Sequence, residues 1–417
     1  MTTSTGPAGQ WLEVLLPGIP ELTDLDARRL ARLEHTLSGL LATHPVGLGT
    51  DPRVRSQRLL GIRRDLAGGG HLAWAMPSCH GGAGGSAVAQ TLAQFICGYH
   101  DADLRDSTGL GHGRLIARHA TPQERGRWLP RLLAGDLPGI AITEPHGGSQ
   151  VHATTTAATA HRDGTWTLTG VKTWISRLTE AAVFIVFFTD PAGRLTAGVI
   201  DAAAGGLHRR PLTPAGLSGW AWGELHLREV RLHPSQILGH PGQGMAILRE
   251  HFAHYRPLVA ATALGVAAAA HDQVATHLQA RRAAGTIASL RDNALITLGR
   301  AYAQINAALL AALTAQRLSE SAAPRAELWG CAIKAHATDT AYATTADLAL
   351  LAGAGGFTAS SPLTKAQQDL RALLYADGIH DSLYRSAGRT LTATAPAMLA
   401  AIPRPQASGR VHNQLHA

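Results

Sequence analysis

Three short segments of the 417-residue chain hold side chains able to do chemistry together. The first is Thr143-Glu144-Pro145-His146-Gly147-Gly148-Ser149-Gln150, a turn of small and hydroxyl-bearing residues. Such a turn can aim backbone amides at a phosphate or at the edge of a ring, and the same residue types also build ordinary turns. The second is Lys172-Thr173-Trp174-Ile175-Ser176 at the end of a strand-like run, where Trp174 either fills core or stacks on a planar ligand. The third is Tyr375-Ala376-Asp377-Gly378-Ile379. A carboxylate at Asp377 can act as a proton-abstracting base, and burial would raise its pKa toward the working pH. The competing use of an Asp beside a Gly is turn chemistry or a helix N-cap.

The periodicity of the chain predicts the elements that carry these segments. From about Trp11 to Gly139 the reading is helical. Thr23 to Leu41 spaces Leu30, Leu33, Leu37, Leu40 and Leu41 along one face, Ala87 to His100 is a second helix, and Thr121-Pro122 opens a third. At about residue 139 the period changes to two. Thr165 to Thr169, Val183 to Phe188, Ala197 to Ile200 and Glu224 to Leu232 read as strands. After Gly242-Gln243-Gly244 helices return: Met245 to Arg282 with a kink expected at Pro257, then Ala283 to Leu318, Ala326 to Leu351 and Gln367 to Leu399. The class is α+β, with a helical domain over 1–138, a β-domain over 139–244, a helical domain over 245–400 and a loose tail over 401–417.

Taken with their neighbours, these segments resemble the acyl-CoA dehydrogenase family, whose signature pairs a TEP-x-x-GSD turn with a K-x-W-I-S/T strand. Gly81-Gly82-Ala83-Gly84, Gln123-Glu124-Arg125 with Trp128-Leu129-Pro130, Glu229-Val230-Arg231, Leu238 to Gly244, and Arg256 followed by Ala260-Ala261 match further family segments in order. Gly353-Ala354-Gly355-Gly356-Phe357 is similar to its GG-x-GF turn, and Asp377 falls where the family carries a catalytic glutamate. The resemblance implies a β-barrel or sandwich between an N-terminal helical domain and a C-terminal four-helix bundle. It implies FAD as cofactor, bound through Thr143, Ser149, Trp174, Ser176, Arg281 and Gly353, with no metal. Thr143 and Ser176 would bond to the flavin ring or its neighbourhood, Trp174 would pack on it, and Ser149 would reach the pyrophosphate. It further implies α,β-dehydrogenation of an acyl or aminoacyl thioester on CoA or on a carrier protein, in a homodimer or homotetramer. The electron acceptor is left open.

The departures fall mostly in the C-terminal half. Asp377 is one methylene shorter than Glu, about 1.3 to 1.5 Å, and a misplacement of that size can cost about 100-fold in rate. Some relatives place the glutamate just before the Arg of the earlier helix, and here that position is Tyr255. The family's R-x-x-FG reads Arg281-Arg282-Ala283-Ala284-Gly285, Leu350 replaces a Gln, Gln368-Asp369 replaces Arg-Asp, and Ile379 replaces a Thr. Two other readings follow: a monooxygenase or oxidase built on the same fold, and a non-redox member that has lost flavin.

Composition narrows the rest. A hydrophobic fraction of 45% with 16% charged residues is globular. The net charge of +8 suits an acidic partner such as a nucleotide or a phosphopantetheine thioester. The scattered Arg residues, without basic runs alternating with aromatics, argue against nucleic acid. No apolar run reaches the length of a membrane span. Cys79, Cys97 and Cys331 form no CxxC pair, and the expected compartment is the cytoplasm. The 22 histidines lack metal spacing, and most read as surface or satisfied polar groups. His146 and His380 lie near the motifs and are candidates for acid or base work.

Overall fold

The computed structural model describes residues 6–47, 50–74, 76, 78, 81–148 and 150–393. The N-terminal helices are α1 (Pro7–Glu13), α2 (Asp24–Thr43), α3 (Pro52–Gly68), α4 (Ala87–His100), α5 (Arg114–His119) and α6 (Pro122–Leu133). Their starts are chemically marked. Thr23 and Asp26 form a capping box on α2, the Ser86 hydroxyl accepts from the Ala89 N–H on α4, and the Thr121 hydroxyl accepts from the Glu124 N–H ahead of Pro122 on α6. Helix α3 escaped the periodicity because Arg55 and Arg63 share its buried face with Leu59, Ile62 and Leu66.

Seven strands follow: β1 (Leu137–Ala141), β2 (Ala157–Ala160), β3 (Trp166–Ser176), β4 (Ala181–Thr189), β5 (Leu195–Asp201), β6 (Leu207–Leu212) and β7 (Trp222–Leu232). They form one mixed sheet in the order β1-β4-β2-β3-β7-β6, with β5 paired to β4. Strand β1 runs parallel to β4, so the sheet already begins at Leu137. The unbroken apolar run of β4 is explained by burial on both faces. Phe184, Val186 and Phe188 pack within the sheet's own cluster, while Val183, Ile185 and Phe187 join the core shared with the helices.

The C-terminal helices are α7 (Gly244–Ala283), α8 (Asp292–Glu320), α9 (Ala326–Leu351), α10 (Pro362–Tyr375) and α11 (His380–Ala393). Helix α7 continues through Pro257. The stretch expected as one helix from Gln367 is two, because the chain breaks where Asp377 takes φ 57° and Gly378 takes φ 109°. Glycine lets α4 and α7 touch backbone to backbone: a Cβ on Gly98 would lie 2.1 Å from the Thr262 carbonyl oxygen, and one on Gly265 would lie 2.1 Å from that of Phe95.

A buried polar hub ties the three parts together. Asp103, in the segment after α4, receives the Gly219 N–H at 3.1 Å and Arg55 Nη2 at 2.6 Å, and its carbonyl receives Trp220 Nε1 at 2.9 Å. Asp369 on α10 accepts the Leu217 N–H at 2.6 Å, and Lys365 bonds Asp101 and Asp369. The β6–β7 connection is thus fixed to α10, which delivers Asp377. Asp101, Asp103 and Asp369 converge closely, and their charge is met by Arg55 and Lys365.

Candidate active site

The turn and the strand of the first two motifs are zipped together. The Thr173 N–H donates to the Thr143 carbonyl at 2.8 Å, and Lys172 Nζ pairs with Glu144 at 2.8 Å, both side chains buried. Glu144 also accepts from the Thr155 N–H and hydroxyl and from the Thr156 N–H, at 2.8, 2.6 and 2.8 Å. Burial pushes this carboxyl up, but Lys172 and the two threonines outweigh it and hold it at about 2. The acidic and basic members of the two motifs are therefore scaffold. Their neighbours Thr143 and Ser176 stay half-buried and available.

Trp174 is presented outward. The register of β3 against β7 slips between Lys172 and Ile175, and Trp174 takes φ 59° at this bulge. A bulge re-aims a side chain, and Trp174 is left 63% exposed in a strand whose neighbours Thr173 and Ile175 are buried. A left-handed tryptophan costs on the order of 1 kcal/mol. Of the two uses open to it, the indole does not fill core.

Asp377 lies within electrostatic reach of the residue that follows the same strand. Arg177, the residue after Ser176, is buried with φ 59° and forms an ion pair with Asp106. Arg105 lies beside it, 3.8 Å from Asp106. Asp377 is half-buried and within electrostatic reach of Lys334, Arg105, Arg177 and Asp106. Burial pushes its carboxyl up, Lys334, Arg105 and Arg177 pull it back, and the net direction is upward. Tyr255 on α7 also lies within reach of Asp377 and Asp106. The two positions from which family members supply a base converge here, one holding Asp and the other Tyr.

Two cations fix the Asp377 loop from outside. Lys334 Nζ donates to the carbonyls of Leu373 and Gly378, both at 2.8 Å, and Arg256 Nε approaches the Asp377 carbonyl at 3.4 Å. Burial pulls the Lys334 ammonium down to about 7, against a smaller upward pull from Asp377. Behind Tyr255, His112 and His251 are buried and 3.0 Å apart, and the Tyr255 ring stacks on His251 with centroids 5.3 Å apart. Burial drives both imidazoles well below their usual range. Of the two kinds of histidine expected, these two are hydrogen-bonded polar groups in the interior, and the half-buried His254 is bonded to Gln316 Nε2 at 2.8 Å. His380 pairs with Asp339 and Asp381, and His146 with the Ala153 carbonyl.

Thr143, Trp174 and Ser176 lie on the zipped turn and strand, and Asp377 lies within electrostatic reach of the next residue, Arg177, and of Tyr255 on α7. Arg281 and Gly353 lie elsewhere: Arg281 in the exposed last turn of α7 and Gly353, with φ 64°, just beyond α9. At a 1.5 Å rise per residue, Arg281 is about 39 Å along α7 from Tyr255. Both mark the bundle end where Leu278, Ala294, Leu348 and Leu363 cluster. Ser149 lies outside the described residues. A surface hollow of about 450 Å³ beside Arg131, Asp201 and Arg209 contains no motif residue.

Sequence reasoning missed Arg105, Asp106, Arg177 and Lys334. Arg177 had one signal, its place directly after the strand motif. Arg105 and Asp106 lie in a charged 3-10 turn, Ala102–Asp106, too short to show a period, and Lys334 is a single charge in an Ala-rich helix.

The N-terminal, middle and C-terminal domain models of the acyl-CoA dehydrogenase family match residues 54–136, 139–230 and 242–392. A probable acyl-CoA dehydrogenase of Mycobacterium leprae is 27% identical over 305 residues, 71% of this chain and 78% of that protein. A glutaryl-CoA dehydrogenase of Mycobacterium smegmatis, solved in complex with FADH2, superposes with a TM-score of 0.77 at 20% identity, covering 90% of this chain and 97% of that one. The prolyl acyl carrier protein oxidase AnaB superposes with a TM-score of 0.69 at 18% identity, covering 83% of this chain and all (100%) of that one.

Proposed function

This chain belongs to the acyl-CoA dehydrogenase family of FAD-dependent oxidoreductases, and from that premise we propose that it forms an α,β double bond in an acyl or aminoacyl thioester, with Asp377 as the base. The carrier is CoA or a carrier protein, the latter suggested by the likeness to AnaB.

The observation that carries this reading is that Asp377, on a loop clamped by Lys334 and Arg256, lies within electrostatic reach of Arg177, the residue next to Ser176. This supports a carboxyl with a raised pKa near the strand end that the resemblance assigns to the flavin ring. The residues present fit that ring: an indole held out by a bulge, with half-buried hydroxyls at Thr143 and Ser176. Trp174 would pack on the ring and Thr143 and Ser176 would bond to it, while Arg281 and Gly353 would contribute to the site of a neighbouring subunit. When bound, FAD supplies the acceptor for the β-hydride. Asp377 takes the α-proton, and the carboxyl is strong enough as a base because the packing around it disfavours its charge. Lys334 and Arg256 hold the loop that aims it.

The purified protein is expected to be yellow, with FAD near one per chain. Anaerobic mixing with an acyl thioester should bleach the flavin band and yield the α,β-unsaturated thioester by mass spectrometry. A colourless protein that takes up no FAD would overturn this reading.

A further inference from the structure

The groups facing Asp377 are short of acceptors. Arg177 spends one terminal nitrogen on Asp106, and its buried Nε–H has no partner. Arg105, 8% exposed, makes one long hydrogen bond to the Ala102 carbonyl at 3.5 Å, and its nearest carboxylates, Asp103 and Asp106, stand at 3.6 and 3.8 Å. Tyr255 is 5% exposed, with its ring held between His112 and His251. Its hydroxyl has no hydrogen-bond partner among the described residues. Three donor groups from three elements (the segment after α4, the end of β3, and α7), all within electrostatic reach of the base, therefore hold more N–H and O–H hydrogens than acceptors. Lys334 does not add to them, because it already serves two carbonyls.

A buried donor left unmatched, as Arg177 Nε is, is costly, and native sites rarely keep one without a use. A hydrocarbon chain against this wall would leave all three donors unmet. An oxygen acceptor would satisfy them in the pose that brings the α-carbon to Asp377. Resting on the reading of Asp377 as the base, we infer that the acyl group this protein takes carries a hydrogen-bond acceptor oxygen, a carboxyl or a hydroxyl, and that Tyr255 and Arg105 select for it over a plain alkyl chain. A site built around such a bond discriminates strongly against the analogue that lacks the partner, more than a hydrocarbon pocket does for a missing methylene. A cationic amine at the same place is disfavoured by the two guanidinium groups.

The test uses the full-length FAD-loaded protein and four pantetheine thioesters of matched length: butanoyl, 4-hydroxybutanoyl, succinyl and 4-aminobutanoyl. Flavin bleaching is followed under anaerobic conditions. The succinyl or hydroxybutanoyl thioester should exceed butanoyl in kcat/KM by at least about 100-fold, and their order tells a carboxyl site from a hydroxyl site. Tyr255→Phe keeps the ring stack and removes the hydroxyl, and it should reduce the ratio of the oxygen-bearing to the butanoyl kcat/KM about tenfold or more. A butanoyl rate equal to the others, a preference for the amine, or an unchanged preference in Tyr255→Phe would overturn the inference and leave the flavin reading standing. Should the protein take up no FAD, the flavin reading fails. Calorimetric binding of the same four thioesters then decides the inference: oxygen-bearing acyl groups first supports it, any other order refutes it.

Discussion

Lys334 Nζ lies 2.8 Å from the carbonyl of Gly378, the residue directly after Asp377, and 2.8 Å from that of Leu373 on the helix leading into it. One buried amine thus clamps both sides of the left-handed turn that aims the base. With its pKa pulled down to about 7 by burial, it can serve both carbonyls as a neutral amine. Lys334→Met should leave the chain folded but lower the rate of flavin reduction by about tenfold or more, since small displacements at a base are costly. It also removes a cation that lowers the Asp377 pKa, so the acidic limb of the rate–pH profile should move to higher pH. Stopped-flow reduction across pH 5 to 8 reads both effects, and an unchanged limb would show that Lys334 does not act on Asp377.

The same lysine has a linkage signature. Its folded pKa is depressed below the unfolded value, so the folded state binds fewer protons between the two. Stability must then rise with pH above about 7, as the unfolded chain keeps a proton the folded chain has shed. The Tm difference between the native protein and Lys334→Met should therefore grow in favour of the native protein from pH 7 to pH 9. Calorimetry showing a flat difference would contradict the depressed pKa.

Asp377 can be tested directly. Asp377→Asn preserves size and removes the base, and the single-turnover rate should fall by at least about 10³-fold, within the usual range for loss of a proton-transfer group. Asp377→Glu restores the family's residue but extends it by one methylene into Arg105 and Arg177. A loss of about 100-fold is expected, with the FAD spectrum unchanged in both variants. Faster turnover in Asp377→Glu would mean that the surrounding residues are still shaped for the longer side chain.

Much of this arrangement was legible before any coordinates, for identifiable reasons. The unbroken apolar run of β4, the marked N-caps of α2, α4 and α6 and the turn and strand motifs all encode local physics, and local physics is what a sequence displays. Strands β1 and β2 were not legible, because Leu-Pro-Gly-Ile-Ala and Ala-Ala-Thr-Ala have little strand propensity and form only by pairing with β4 and β3. The break at Asp377 was read through because only Gly378 marks it. Arg105, Arg177 and Lys334 act on the site through contacts 43 to 272 positions away along the chain in Asp377's frame (Lys334 and Arg105 being nearest and farthest), and no spacing rule reports such a meeting.

Glu144 illustrates how a motif residue can be essential without touching substrate. Its pKa of about 2 lies below the unfolded value, so its stabilising contribution is present above about pH 4.5 and is lost as pH falls through about 2. Glu144→Gln strands Lys172 in a buried site, and breaking a buried pair by removing one partner typically costs about 3–5 kcal/mol. Urea unfolding at pH 7 should show that loss, and the gap between native and variant should narrow below pH 4. A loss under about 1 kcal/mol would mean that the turn is held by its backbone bonds alone.

Trp174 gives the sharpest separation of cofactor binding from folding. Its side chain is 63% exposed, so truncation removes little buried surface, and its left-handed backbone is better tolerated by a small residue than by a bulky one. Trp174→Gly should therefore match or exceed the native protein in stability when both are stripped of FAD. An indole that stacks on a planar ligand contributes about 1 kcal/mol or more to holding it, so the variant should bind FAD at least about fivefold more weakly. Calorimetric titration of the stripped proteins measures the second quantity and thermal unfolding the first. Lower stability with unchanged FAD affinity would reverse the assignment, making Trp174 a packing residue whose cover is another protein surface.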